Sequence, residues 1–142
     1  MRSASYLPQL FTVAVLSTVA LTSAPDLFPI DRQFVAVSLN GQSFPINSPT
    51  MIVKHDPNTN TLMGAGFAGC NLWNGQVNLE RTQFGVGNLG STKKYCSDQL
   101  TTEINFLSAL QTVTRWSRDG STLVLEGDQS KLLLAPAPAN KL

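Results

Sequence analysis

The chain has 142 residues, a net charge of +1 and 13% charged residues, about half the usual fraction. A surface that binds nucleic acid needs clustered Lys and Arg. Here only Lys93 and Lys94 are adjacent, so nucleic acid is excluded as a partner. The length allows one domain with one modest core.

The first 24 residues read as a signal peptide. Arg2 supplies the positive charge, Leu7 to Leu21 the apolar stretch, and Thr18, Ala20, Thr22, Ser23 and Ala24 the small residues that precede cleavage, after Ala20 or Ala24. The apolar run is interrupted by Pro8 and falls short of the roughly 20 residues of a membrane span. Contact with the membrane is therefore expected only in transit. An exported protein is expected to meet an oxidising compartment.

From Asp26 onward, short alternating runs are separated by turn residues. Strands are expected at Arg32 to Leu39, Met51 to Lys54, Leu62 to Ala68, Gln76 to Leu79, Gln83 to Val86, Thr114 to Arg118, Leu123 to Glu126 and Lys131 to Ala135. Turns fall at Asn40-Gly41, at His55 to Asn60, at Glu80-Arg81-Thr82 and at Asp119-Gly120-Ser121. Gly64 and Gly66 inside the third strand signal a bulge or a close backbone approach. One helix follows Ser97 or Asp98 as its cap, with Leu100, Ile104, Leu107, Leu110 or Gln111, and Val113 at spacings of three and four and Phe106 widening the apolar stripe. These elements predict an α+β domain over residues 25–135. Its antiparallel sheet of about seven or eight short strands curls into a partial barrel with one main helix. Residues 136–142, rich in Ala and Pro, are expected to form a flexible tail.

Cys70 and Cys96 are the only cysteines, with no C-x-x-C spacing and no visible base to activate a thiol, so they read as a structural disulfide. The loop they close would contribute about 3.5 kcal/mol by the chain-entropy estimate.

The run Gly69-Cys70-Asn71-x-x-x-Gly75, then Ser91-Thr92-x-x-x-Cys96, then Glu103-x-x-Phe106-Leu107-x-x-Leu110 and Leu123-x-Leu125, resembles the META domain, the fold of the HslJ heat-shock-like proteins. The likeness runs from about Phe34 to Leu134. It departs from the family pattern at packing positions, with Val77 after the Gly-Cys-Asn loop, Phe34 on the first strand and Asn88-Leu89-Gly90 before Ser91. The resemblance implies a small exported protein associated with stress or antibiotic tolerance, without an established catalytic activity. The motif positions Gly69, Asn71, Gly75 and Thr92 all make sense as structure. Glycines permit the turn, and Asn71 can bond the amides of its own loop.

Sharper chemistry finds little support. Asp56-x-Asn58-x-Asn60 opens like a calcium loop, but Thr61 and Phe67 stand where Gly and a bidentate Glu belong. His55 is the only histidine, and adjacent Asp56 would face the other side of a strand. No catalytic residue, metal site or cofactor is therefore assigned. Trp73, Tyr95 and Phe67 lie near the cysteines in sequence and form either the core around the disulfide or, if exposed, a contact patch. The expected function is non-enzymatic and works through binding of a protein partner or an apolar small molecule. The alternatives are a carrier of a lipid or small apolar ligand, and an interaction or inhibitor module that uses the Trp73 loop.

Overall fold

A computed structural model describes residues 3–5, 7–20, 26–45 and 47–139. Among them are nine strands and one helix: β1 (Phe34–Leu39), β2 (Gln42–Ser43), β3 (Thr50–Asp56), β4 (Thr61–Phe67), β5 (Leu72–Glu80), β6 (Gln83–Ser91), α1 (Leu100–Thr112), β7 (Arg115–Asp119), β8 (Thr122–Glu126) and β9 (Lys131–Pro136). Every pairing is antiparallel, and the order β1-β3-β4-β5-β6-β7-β8-β9 returns to β1, where Phe34 lies opposite Pro136 and Leu39 opposite Leu132. The expected partial barrel is present, closed by its first and last strands. The short β2 pairs antiparallel with the end of β1, Ser43 opposite Ser38 and Gln42 opposite Leu39. The join between β6 and β7 is the thinnest, with one register pair, Gln83 with Arg115.

Alternation sets the inward face. Phe34 and Ala36 on β1, Met51 and Val53 on β3, Trp73 and Val77 on β5, and Leu132 and Leu134 on β9 are all buried. Phe106 of α1 meets Trp73 edge-on at 6.1 Å between ring centroids and Phe44 at 6.4 Å. A second aromatic group has Phe28 stacked on Phe84 at 5.5 Å and edge-on to Trp116 at 5.3 Å. The barrel axis is therefore filled with side chains.

Three expectations change. The inward stripe of the helix differs from the expected one only in its first half, since Phe106, Leu110 and Val113 are buried as expected. Glu103, Phe106, Ala109 and Leu110 are its buried residues, whereas Leu100 and Ile104 are 46% and 56% exposed. Neither Ser97 nor Asp98 caps it; Gln99 occupies the N-cap without a side-chain bond. The expected tail begins too early, since β9 runs through Pro136 and the Ala137 amide donates to the Gln33 carbonyl at 2.9 Å. Pro136 fits at a strand end, where its missing N–H costs little.

Residues 7–20, within the expected signal peptide, are exposed and carry no regular secondary structure, and no helix is long and apolar enough to cross a membrane. Arg2, Leu21, Thr22, Ser23, Ala24 and Asn140 lie outside the described residues.

Candidate functional site

The motif residues gather where β4 turns into β5. Gly69 has φ +113°, a conformation that favours glycine, and a Cβ there would lie 2.9 Å from Thr102 Cγ2 on the helix. This lets the chain reverse against α1, and the Ala68 amide donates to the Asn71 carbonyl at 2.8 Å. Cys70 is bonded to Cys96, which ties the turn to the segment leading into the helix.

Asn71 is the hub. Its backbone amide donates to Glu103 Oε1 at 2.9 Å, and its Nδ2 donates to Glu103 Oε2 at 3.0 Å and to the Lys94 carbonyl at 3.0 Å. Its Oδ1 accepts from the Thr92 hydroxyl at 2.9 Å and from the Lys94 amide at 2.7 Å. Thr92 Oγ1 in turn accepts from the Leu72 amide at 3.1 Å. Glu103 is 7% exposed, and its two oxygens are met by N–H groups rather than by a cation. One exception to apolar burial on α1 thus anchors the helix to the β4–β5 turn. Glu103 stood in the sequence motif without a role. Its signal was that Glu103, Phe106, Leu110 and Val113 share one helical face.

The other motif glycine, Gly75, is required by packing. A Cβ there would come 2.6 Å from Val86 Cγ1 and 3.1 Å from the Gly87 carbonyl on β6. Gly64 and Gly66 do not form a bulge; they make room for the Trp73 ring. At Gly66 an added Cβ would overlap the Thr50 carbonyl and lie 3.0 Å from Trp73 Nε1. That carbonyl accepts from Trp73 Nε1 at 3.0 Å.

The aromatic trio does not form one surface. Trp73 is 1% exposed and belongs to β5 rather than to a loop, Phe67 is half-buried on β4, and Tyr95 is 82% exposed. Burial of the indole is what the two facing glycines permit, and it removes the Trp73 loop as a contact element.

His55 and Asp56 also part company. His55 Nε2 lies 2.9 Å from Asn60 Oδ1. Asp56 accepts from the Asn58 amide at 2.9 Å and the Thr59 hydroxyl at 3.0 Å, and these bonds hold its carboxyl below the ordinary aspartate range. The calcium-like run is a hairpin turn in which the Asp56 and Asn60 side-chain oxygens are already engaged. Among the described residues no cluster of His, Cys, Asp and Glu could hold a metal ion.

Two depressions open on the surface. One, of about 990 Å³, lies at the turn end of the β5–β6 hairpin, beside the passage from α1 to β7. The other, of about 530 Å³, runs between β6 and α1 past Leu89, Ile104 and Leu107.

Comparison with solved structures finds the same fold in a protein from Burkholderia xenovorans determined by NMR, with a TM-score of 0.63 and 20% identity over 84% of this chain and 96% of that one. A second protein structure determined by NMR is similar, with a TM-score of 0.57 and 22% identity over 73% of this chain and 87% of that one. No curated protein matches the chain. The model of the META domain family matches residues 26–139, a span that takes in the barrel, the Asn71 hub and the disulfide, and the chain belongs to that family.

Proposed function

We propose that this META-domain protein is a non-catalytic binding protein, exported to the periplasm or cell envelope, that contributes to tolerance of stress or antibiotics. The observation that carries the reading is the use made of the motif. Asn71, Thr92 and Glu103 satisfy one another and the backbone around them, which leaves the motif holding the fold together. The disulfide fits an oxidising compartment. Function then resides on exposed surface. A barrel axis filled by Trp73, Phe106, Met51 and Leu110 speaks against a carrier that encloses a lipid.

A second reading, a protein-interaction module, is favoured by the outward face of α1 rather than by Trp73. Leu100 and Ile104 lie one turn apart and are exposed, as are Leu72 and Tyr95 on the segments that the disulfide joins.

The test is expression of the full chain followed by cell fractionation and intact-mass measurement. The expected product is envelope-located, begins after Ala20 or Ala24 and lacks two thiol hydrogens. A full-length cytosolic product with free thiols sinks the export reading. Unchanged survival of a deletion strain under heat and antibiotic challenge sinks the tolerance role.

A further inference from the structure

The depression at the turn end of the β5–β6 hairpin is lined by uncharged hydrogen-bonding side chains with no work inside the fold. Gln76, Asn78, Thr82, Gln83 and Thr114 all line it, and among the described residues none of their side chains bonds to another protein group. Of its apolar lining residues, Val77, Phe84 and Val113 are each no more than 4% exposed, whereas Leu62 and Leu79 are half-buried and present apolar surface. The two charged lining residues, Glu80 and Arg115, are opposite in sign, and Arg115 already pairs with Glu126 at 3.1 Å. The depression therefore offers amides and hydroxyls together with apolar surface from Leu62 and Leu79, and no net charge. Its volume of about 990 Å³ lies at the upper end of the ligand-site range, roughly 300–1,000 Å³.

An amide side chain presents a donor and an acceptor side by side. Neighbouring hydroxyls, each of which donates and accepts, are the complementary chemistry. Gln76 and Asn78 are two residues apart on β5, which puts them about 7 Å from one another along the strand and lets them address successive groups of an extended ligand. Opposite Asn78 on β6 is Gly85, where an added Cβ would meet nothing within 4 Å. The fold therefore has room for a side chain at Gly85, and the glycine leaves that room free beside the amides.

We propose that this depression binds a neutral oligosaccharide, a stretch of an uncharged glycan chain. The assignment deepens the binding reading above and rests on it.

The test uses the purified disulfide-bonded protein with two probes, cellotetraose and chitotetraose, followed by ¹H–¹⁵N spectroscopy. The expected result is a saturable shift of the Gln76, Asn78 and Gln83 side-chain amides and of the Gly85 backbone amide with at least one probe. Asn78→Ala and Gln76→Ala should each weaken binding about tenfold with unchanged thermal unfolding. Gly85→Thr, which fills the free space, should abolish binding in a folded protein. If Gly85→Thr unfolds the chain, the Ala variants decide the question. Unmoved resonances with both probes at millimolar concentration, or shifts confined to the outer face of α1, overturn the site and leave the export reading standing. Binding followed by cleavage of the oligosaccharide upholds the site and removes the non-catalytic part of the reading.

Discussion

The β5–β6 hairpin joins two regions that treat polar groups in opposite ways. At its open end, near Leu72 and Ser91, Asn71, Thr92, Lys94 and Glu103 satisfy one another, a disulfide clamps them, and a buried carboxylate is tolerated because two N–H groups meet it. At its turn end, Gln76, Asn78 and Gln83 line a depression, and among the described residues their side chains make no bond to a protein group. The first end contains the residues by which the family is known, and the second is plain in sequence. Sequence motifs and ligand chemistry therefore need not coincide. A motif built from buried, mutually satisfied groups reports what the fold cannot lose, while exposed amides are free to serve recognition.

Substitutions should separate the two ends in stability. Asn71→Ala strips one donor from the Glu103 carboxylate and both partners from Lys94, and is expected to cost about 4 kcal/mol in urea unfolding. A cost below about 1 kcal/mol would mean that water or a shifted backbone replaces the clasp. Cys70→Ala with Cys96→Ala should cost about 3.5 kcal/mol by loop entropy. The same variant in an Asn71→Ala background should be non-additive, because both changes loosen one segment. At the other end, Asn78→Ala and Gln76→Ala should fall within about 0.5 kcal/mol of the parent. A loss comparable to that of Asn71→Ala would erase the contrast.

The smallest effect belongs to the β3–β4 turn, a third kind of polar site, exposed but internally bonded. The Asn58 amide first, and then the Thr59 hydroxyl, favour the charged form of Asp56, so its folded pKa is lowered. That contribution is complete above the ordinary aspartate range and is lost as pH falls through the lowered folded value. Asp56→Asn should therefore melt slightly lower than the parent at neutral pH, with the difference vanishing in acid. A difference that grows on acidification would contradict the assignment. Because the carboxylate is fully exposed, the effect should also shrink in salt.

Much of the barrel was readable because alternation survives wherever one face is buried: Gln76-Val77-Asn78-Leu79-Glu80 on β5 alternates polar and apolar residues and reports its pleat directly. The ends of β5 and β6 were harder. Gly85, Gly87 and Gly90 look like loop residues, yet they pair with β5, and Asn88, at φ 49°, lies in the register shift between Gly87 and Gly90. Ladder pairing overrides poor strand propensity there. The first half of the α1 face, where Leu100 and Ile104 are exposed, was misread for a different reason. Periodicity counts apolar residues, and Glu103 occupies an inward position only because Asn71 arrives from another element to meet it. Likewise, the burial of Trp73 depends on Gly64 and Gly66 across the sheet, a relation that no local window contains. The turn-end amides were passed over because exposed Asn and Gln carry no spacing rule of their own.

Pairing of β1 with β9 has a consequence in time. Phe34 finds Pro136, and Leu39 finds Leu132, only after nearly all the intervening chain exists. During synthesis β1 must wait with one lengthwise edge vacant while the seven strands between it and β9 assemble beside it. Such long-range closure makes folding slow for the size of the chain. It also leaves a nascent polypeptide unable to close the barrel before β9 is made. A chain truncated before Lys131 would keep β1 and β8 permanently open, and should stick to its own copies rather than fold alone.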